Sequence, residues 1–198
     1  MDENKLKKLY NELVNDSDFD KLELGLNKPN IFEILKISKS EIRHSNFLSW
    51  LLNPKGSHGL GEVFIKRFIR EIFSSDKVIN IDQIEVSKLD LSKVEIRREW
   101  KNIDILIIFD DIIICIENKI YSKEHSNQLT RYKEIIKNEF PNKRQSFVYL
   151  TPYGDSSEEE TESYVSLSYY YIIEVLDRII EIYDESLIIS VKQYIKDY

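Results

Sequence analysis

The chain has 198 residues, of which 42% are hydrophobic and 32% charged, a size and composition that suit one domain with a sizeable core and exclude an intrinsically disordered protein. No apolar run is long enough to span a membrane and the first residues do not form a signal-peptide pattern, so we expect a cytoplasmic protein with no membrane partner. The net charge of −7 arises mainly in residues 151–198, which hold 11 acidic and 3 basic side chains, so the nearly neutral first 150 residues can still offer a basic surface to a polyanion.

Helical spacing of apolar residues dominates the start of the chain. Residues 1–37 predict N-terminal packing helices, and a further pattern runs from Glu41 to Leu52 with Glu41 and His44 on the same stripe as core leucines. Ser38 and Glu41 match a capping box, in which the glutamate bonds a backbone N–H at the start of the helix. On spacing alone, this capping role for Glu41 takes precedence over a functional one.

A glycine-rich loop at residues 53–61 ends that helix, and an amphipathic pattern predicts another helix from about Val63 to Phe73. The loop lacks the Gly-Lys-Ser/Thr ending and the preceding strand of a phosphate-binding loop. We therefore interpret His58, within this loop, as a hydrogen-bonding residue rather than a catalyst. Residues 76–93 are polar and irregular, and we interpret them as a connection or an edge hairpin.

Residues 94–121 predict the core of a β-sheet. The alternating segment 94–100 leads through a very short link into two apolar runs that flank Asp110 and Asp111, which predicts a β-hairpin with its tip at these aspartates. Both alternating sets of side chains are apolar in residues 103–121, as a sheet covered on two faces requires. With helical patterns before and after it, we predict an α/β or α+β fold with a central mixed β-sheet flanked by helices.

Three ionisable side chains interrupt the apolar hairpin. A symmetric tip places Asp104 directly opposite Glu117, with Cβ atoms about 4.5 to 5.5 Å apart, and puts Lys119 on the same face. Two carboxylates facing each other in a buried position repel, so a positive charge must lie between them. Either Lys119 supplies it in a structural ion cluster, or the carboxylates hold Mg²⁺ or Mn²⁺, which prefer such oxygen ligands. The hairpin alone favours neither interpretation.

The next helical pattern, residues 122–138, begins directly after the hairpin. Gln128, Arg131 and Tyr132 share one stripe of it. Taken singly, Tyr132 would be a packing side chain and Arg131 part of a solvated face. A strand pattern follows at residues 146–151.

The acidic run at residues 155–162 is interpreted as a solvated loop, and helical patterns over residues 170–183 and 186–198 close the chain. The only cysteine, Cys115, lies in a buried run, which excludes a disulfide framework and a zinc site built from thiolates. We predict a single domain, residues 1–198, with a core at about 38–152, packing helices in 1–37 and C-terminal helices in 163–198.

Five motifs, in this order along the chain, resemble a bacterial branch of the PD-(D/E)XK nuclease superfamily. They are Glu-x-x-His-Ser-x-Phe-Leu-x-Trp-Leu-Leu at 41–52, His-Gly-Leu-Gly at 58–61, Ile-Asp-Ile-Leu-Ile at 103–107, Ile-Glu-Asn-Lys-Ile at 116–120 and Gln-Leu-x-Arg-Tyr at 128–132. Ile103 stands where the name of the motif has a proline. The resemblance covers most of residues 38–152 and implies a restriction-endonuclease-like core.

The resemblance implies roles for the hairpin carboxylates and their neighbours. Asp104 and Glu117 would hold Mg²⁺ or Mn²⁺, with the backbone carbonyl of Asn118 as a further ligand. Lys119 would orient or activate the attacking water and stabilise the charge that develops at the phosphorus. Glu41 would complete the site through metal-bound water, a role that now takes precedence over capping.

The resemblance also implies that Gln128 and Tyr132 line the site and position the lysine or the phosphate backbone. Such a site requires Asp104 to face Glu117, with Glu41 and Gln128 arriving from helices on the same side of the sheet. Candidate contacts to nucleic acid, which share a polar or basic side chain near these motifs, are Tyr132, Arg131, His44, Arg97, Arg98, Lys101, Lys123 and Lys143.

We therefore expect a metal-dependent nuclease that hydrolyses phosphodiester bonds, with DNA favoured over RNA. The resemblance adds a role in defence against foreign DNA, and cutting of both strands would suit a two-fold homodimer. The alternative is a non-cleaving nucleic-acid-binding or protein-interaction module on the same fold, with the acidic C-terminal region as a partner surface or a DNA-mimicking brake. Intact Asp104, Glu117 and Lys119 favour the enzyme.

Overall fold

A five-stranded mixed β-sheet forms the core of residues 37–198. The computed structural model describes residues 3–26, 29–75, 77, 81, 83–109, 111–121 and 127–198. Its strands are β1 (Glu95–Trp100), β2 (Ile103–Ile108), β3 (Ile112–Asn118), β4 (Arg144–Thr151) and β5 (Tyr164–Ser168). Its helices are α1 (Glu3–Val14), α2 (Ser17–Leu26), α3 (Ile31–Ile34), α4 (Glu41–Leu52), α5 (Val63–Ile72), α6 (Gln83–Ser87), α7 (Gln128–Glu139), α8 (Tyr169–Tyr183) and α9 (Ile189–Asp197).

The five strands follow one another across the sheet in chain order. β1, β2 and β3 are antiparallel neighbours, whereas β3, β4 and β5 are parallel. Lys101 and Asn102 join β1 to β2 with φ angles of 52° and 67°. Positive φ at both positions of a two-residue loop matches the twist of the flanking strands. The predicted central mixed sheet flanked by helices is confirmed, in an α+β arrangement.

The register of the β2–β3 hairpin is the one that a symmetric tip predicts. Ile105 lies opposite Ile116, and the pairing continues in step to Ile108 and Ile113. The backbone N–H of Phe109 donates to the carbonyl of Ile112 at 2.9 Å, which closes the ladder at the tip. Of the two tip aspartates, Asp111 is described and Asp110 lies outside the described residues.

Each face of the sheet is covered by its own hydrophobic cluster. Ile105 and Ile116 belong to the first cluster, which includes residues of α4, α5 and α8. Leu106 and Cys115 belong to the second, which includes residues of α7. All seven residues of β3 are buried. Full burial of one large aliphatic side chain is worth about 1.5–3 kcal/mol, so these two clusters hold the hairpin rigidly.

The sequence patterns missed or misplaced several elements. β5 was not predicted. Of the two alternatives for residues 76–93, a connection or an edge hairpin, the described residues there favour a connection, which contains α6 and a 3₁₀ turn at Leu91–Lys93. The helix expected from residue 122 begins at Gln128, and residues 122–126 lie outside the described part of the chain.

His58 has the structural role expected of it. Its side chain is fully buried, its Nε2 lies 2.9 Å from the carbonyl oxygen of Asn53, and its Nδ1 accepts a hydrogen bond from the backbone N–H of Leu60. A Cβ at Gly56 would lie 2.7 Å from the same ring, so only glycine fits that position.

The chain divides into two compact units, Met1–Lys36 and Ile37–Tyr198. This boundary coincides with the predicted start of the core near residue 38, and the prediction of one domain over residues 1–198 stays a prediction. No described helix is both long enough and apolar enough to pass through a membrane.

Candidate active site

Asp104 and Glu117 carry the central carboxylates. Asp104 precedes Ile105 and Glu117 follows Ile116, so continuing the ladder by one pair sets the two acids opposite each other on the sheet face that α7 covers. The backbone N–H of Asn118 donates to Asp104 Oδ2 at 2.7 Å, which ties the aspartate to the end of β3. The predicted facing of the two acids across the ladder therefore agrees with the register of the strands.

Burial makes this pair of acids costly to ionise. Desolvation and the nearby charge of Asp104 together raise the pKa of Glu117 to about 8, against the lowering effect of Lys119. Desolvation likewise raises the pKa of Asp104 to about 6, against the lowering effect of the hydrogen bond from Asn118. Glu41 and Glu99 add negative charge near Asp104. The site thus has a deficit of positive charge that one lysine does not remove.

Lys119 is the cation of the site. Its Nζ lies 2.8 Å from Glu117 Oε1, with the two side chains 9% and 1% exposed. The backbone N–H of Lys119 donates to the carbonyl of Leu150 at 2.8 Å, which continues the β3–β4 ladder by one residue. This bond fixes the backbone position from which the lysine side chain extends. Of the ion cluster considered from the sequence, the Lys119–Glu117 pair is formed, and Lys119 lies on the same face as Glu117.

One carboxylate oxygen remains unused by this cluster. Glu117 Oε2 is buried and has no hydrogen-bond partner among the described residues. A buried oxygen of a charged group without a hydrogen-bond partner lowers the free energy of unfolding by roughly several kcal/mol, unless a water or a cation binds it. Its position next to Asp104 is where a cation would relieve both the repulsion and the missing bond.

The donor set fits a hydrated Mg²⁺ or Mn²⁺. Within the described part of the chain, no group of three or more His, Cys, Asp or Glu residues is placed to hold a metal ion. Direct carboxylate ligation would thus come from Asp104 and Glu117 alone, with the carbonyl of Asn118 and waters as further ligands. Mg²⁺ is commonly held by one or two carboxylates while it keeps several waters.

Glu41 reaches the end of β3 from α4. Its Oε1 accepts hydrogen bonds from the backbone N–H groups of Ile120 at 2.8 Å and Tyr121 at 3.3 Å. The capping box with Ser38 is not formed, because α4 begins at Glu41 with Ser40 as its N-cap residue. Glu41 lies close enough to raise the pKa of Asp104 and Glu117 through its charge.

The expectation that Glu41 and Gln128 approach from the same side of the sheet is wrong. α4 contributes Leu48, Leu51 and Leu52 to the first cluster, whereas α7 packs in the second on the opposite face. Glu41 is at the N-terminal end of α4 and reaches around the edge where β3 ends.

Asn118 holds the helices to that edge. Its Nδ2 donates to the carbonyl of Glu41 at 3.1 Å and to Ser45 Oγ at 3.0 Å, and its Oδ1 accepts from Tyr169 OH at 2.9 Å. Sequence reasoning missed Ser45 and Tyr169 as positioning residues. The only signal was that Ser45 belongs to the helix motif at residues 41–52, whereas nothing in the sequence linked Tyr169, at the start of α8, to β3.

Gln128 and Tyr132 form a hydrogen-bonded pair in the first turns of α7. Gln128 Nε2 donates to Tyr132 OH at 2.7 Å, and this hydroxyl donates to the carbonyl of Asn102 in the β1–β2 turn. Burial and the charge of Glu117 raise the pKa of Tyr132 to about 12. The ring is 1% exposed, so a contact of Tyr132 with nucleic acid would act through Gln128. Gln128 Oε1 is buried and unpartnered within the described residues.

The basic residues predicted to contact phosphate are spread over both faces. Arg97 pairs with Leu106 and so shares the face of the carboxylates, where Glu95 Oε1 binds its Nε at 2.7 Å. Lys101, in the β1–β2 turn, forms an ion pair with Glu139 at the end of α7. Arg98 points to the other face, where its Nη2 donates to the carbonyl of Ile42 at 3.4 Å. The structure brings Arg97 and Lys101 towards the site face and separates Arg98 from it.

The remaining predicted contacts lie apart from one another. Arg131 is exposed on α7 with its guanidinium 5.3 Å from the ring centre of Tyr132. Lys123 lies outside the described residues. Lys143 donates to the carbonyl of Phe109 at 2.7 Å, at the opposite end of the parallel strands from the carboxylates, which argues against a phosphate contact near the reaction.

His44 lies one turn after Glu41 on α4. Its Nε2 is 2.9 Å from the carbonyl oxygen of Ser38, and its ring meets that of Tyr169 edge-on with centres 5.8 Å apart. Burial lowers the pKa of His44, so the imidazole is neutral near pH 7. Its predicted contact to nucleic acid stays a prediction, and the structure places it at a cavity on the α4 side of the sheet.

Comparison with known proteins gives a finding independent of this geometry. A family model described as the PD-(D/E)XK nuclease superfamily matches residues 29–198. A search of curated proteins and a search of solved structures each found no match. The family match spans most of the chain and includes every residue of the site described above.

Proposed function

The chain belongs to the PD-(D/E)XK nuclease superfamily, and from this premise we propose that it is a divalent-metal-dependent nuclease that hydrolyses phosphodiester bonds in DNA. One observation carries the proposal. Fully buried Glu117 lies beside half-buried Asp104 and a single lysine, and it keeps a buried oxygen without a partner among the described residues. A bound cation would supply the partner that this oxygen lacks, which the Lys119–Glu117 pair does not do.

Each residue of the site would have its own role in metal binding or in stabilising the reacting phosphate. Asp104, Glu117 and the carbonyl of Asn118 would hold Mg²⁺ or Mn²⁺, which lowers the pKa of a bound water and withdraws charge from a phosphoryl oxygen when present. Lys119 would donate hydrogen bonds where negative charge develops on the phosphate. Glu41 would accept hydrogen bonds from waters between it and the carboxylate pair.

The proposed substrate and biological role are argued from the basic side chains near the site and from the sequence motifs. Arg97 and Lys101 share the site face and would contact phosphates there, and Gln128 would position the lysine or the phosphate through its buried Oε1. DNA as the substrate and defence against foreign DNA are supported by the resemblance of the five sequence motifs to a bacterial nuclease branch.

Cleavage of supercoiled plasmid DNA in the presence of Mg²⁺ or Mn²⁺ tests the proposal. Wild-type protein is expected to convert the plasmid to nicked or linear forms, and Asp104→Ala and Lys119→Ala are each expected to lose at least about 10²-fold in rate. Equal activity in all three proteins would exclude the assigned site. Salt-dependent DNA binding by the wild type without any metal-dependent product would instead favour the non-cleaving module.

A further inference from the structure

An aromatic cavity opens beside the candidate active site. Its volume is about 440 Å³, within the range of small-ligand pockets. Five of the residues that line it have aromatic rings, namely His44, Tyr121, Tyr153, Tyr169 and Tyr198. None of the reaction roles assigned above uses this cavity.

The rings are arranged as a floor and a mouth. Tyr169 is 9% exposed and lies edge-on to His44, whose ring centre is 5.4 Å from that of Tyr198. Tyr121 and Tyr153 are 67% and 73% exposed and so offer ring surface to solvent at the mouth. Large exposed aromatic rings around a concave site commonly mark a binding surface rather than a folding requirement.

The cavity is joined directly to the catalytic edge of β3. Its wall includes Ile120 and Tyr121, the two residues whose backbone N–H groups bind Glu41 Oε1. Its floor includes Tyr169, whose hydroxyl holds the side chain of Asn118. The carboxylates of Asp104 and Glu117 lie on the other face of the sheet, so a strand bound over them would reach the mouth by passing around the end of β3 at Ile120.

The side chains that line the cavity suit a ligand with a flat, weakly polar ring joined to an anionic group. The rings provide faces and edges for stacking, and Lys39 Nζ lies 5.7 Å from the ring centre of Tyr121, where it can meet a phosphate. A nucleobase with its attached phosphate has both properties. Stacking of unpaired bases on aromatic side chains is the usual way in which proteins hold single-stranded nucleic acid.

We propose that this cavity binds one unpaired nucleobase of the substrate strand, next to the phosphate that is cut. The proposal rests on the nuclease function proposed above and deepens it, because it names the class of substrate. A base enters the cavity only when it is not paired, so the protein would prefer single strands, unpaired flanks or frayed ends over continuous duplex.

The test measures binding without cleavage, with the full chain in EDTA. The probe is a short single-stranded deoxyoligonucleotide that carries one 2-aminopurine, compared with a blunt duplex of the same sequence. Tyr121→Ala and Tyr153→Ala are each expected to weaken binding of the single strand by about tenfold and the duplex much less. Quenching of the 2-aminopurine by the wild type is expected to be lost in both variants.

Matched variants separate stacking from structural damage. Tyr121→Phe and Tyr153→Phe keep the rings and are expected to bind the single strand like the wild type. Tyr194→Ala removes a tyrosine of similar type that is 47% exposed on α9 and does not line the cavity, so its binding should not change.

Two results would overturn the proposal. One is undiminished binding of the single strand by both alanine variants, and the other is an equal loss of single-strand and duplex binding. These outcomes do not depend on cleavage. If the wild type binds the single strand as described but does not cut DNA, the nuclease function is excluded and the base-binding site is retained. If the wild type cuts DNA and the alanine variants bind the single strand as well as it does, the base-binding site is excluded and the nuclease function is retained.

Discussion

Lys119 Nζ lies 2.8 Å from Glu117 Oε1, in a position where both side chains are almost completely buried. Glu117 faces a second acid, Asp104, whose charge contributes to raising its pKa. The metal-free site therefore contains more negative than positive charge in a place that water barely reaches. A protein that needed only stability would replace one of these acids by a neutral residue, and this contrast between stability and function can be measured.

A neutral isostere of Asp104 should have opposite effects on stability and on activity. Asp104→Asn removes the repulsion but keeps the shape and the Lys119–Glu117 pair, so the metal-free free energy of unfolding is expected to rise by about 1 kcal/mol, whereas Glu117→Gln also takes the counter-charge from buried Lys119 and should not be more stable than the wild type. Cleavage should fall by at least about 10²-fold. Chemical denaturation in EDTA, together with a plasmid cleavage assay, measures the two effects.

The same variants serve as controls for metal binding. The wild type should gain about 2.7 kcal/mol of stability when Mn²⁺ is present at a hundredfold excess over its dissociation constant. Neither variant should show that gain. A loss of metal-free stability in Asp104→Asn, with the Mn²⁺ effect retained in both variants, would mean that the acids form a structural cluster only.

Stability of the metal-free protein should fall as the pH rises. The folded-state pKa of Glu117 is raised to about 8 and that of Asp104 to about 6, mainly by burial, whereas both acids have ordinary values in the unfolded chain. The folded protein then binds more protons than the unfolded chain above about pH 4, so the stability is lost progressively up to the folded-state values. Denaturation at a series of pH values in EDTA measures the slope, which Glu117→Gln should reduce.

Cleavage should follow pH in the opposite direction. Cations compete with protons for the two carboxylates, so Mn²⁺ affinity and cleavage rate should both rise from pH 6 towards pH 8. Calorimetric titration of Mn²⁺ across this range reports the affinity. A metal affinity that does not change with pH would contradict the assignment of these acids as ligands.

The hydroxyl of Tyr132 should matter for the reaction although its ring is buried. It joins Gln128 Nε2 to the carbonyl of Asn102, so Tyr132→Phe frees Gln128 and is expected to slow cleavage by about tenfold while costing about 1 kcal/mol of stability. Tyr164→Phe is a matched control, because it removes a hydroxyl that donates to Leu129 in the same cluster. Equal cleavage rates in the two variants would mean that Tyr132 only packs.

Glu41 distinguishes a catalytic acid from an anchor. Glu41→Gln keeps an oxygen that can accept from the backbone of Ile120 but removes the charge, so we expect an unchanged unfolding midpoint and a cleavage rate lower by about tenfold to hundredfold. Glu62→Gln, on the surface before α5, is the control. Full cleavage by Glu41→Gln would leave Glu41 with a purely structural role.

The sequence predicted the parts of this fold that depend on strict periodicity. The pairing of Ile105 with Ile116 followed from two apolar runs of matched length around a polar tip, because a shift of one residue would turn every side chain to the wrong face. β5, Tyr164–Ser168, was missed because it has only five residues and follows an acidic loop. Its single partner, β4, is not its direct neighbour in the chain, so no hairpin pattern marks the pairing.

The candidate site was predictable to the extent that it lies on the hairpin. Asp104, Glu117 and Lys119 come from adjacent strands, so local register fixed their positions. The approach of Glu41 around the sheet edge and the bond from Tyr169 to Asn118 depend on packing between elements far apart in sequence, which no local pattern encodes. The aromatic cavity was not foreseen for the same reason.

The most direct test of the central claim is a crystal structure of the protein soaked in Mn²⁺, with anomalous scattering used to locate the ion. We predict one anomalous peak between the carboxylates of Asp104 and Glu117, with Glu117 Oε2 and the carbonyl of Asn118 among its ligands and Lys119 retained beside it. An empty space between the two carboxylates, with Mn²⁺ bound elsewhere or not at all at a saturating concentration, would contradict the account.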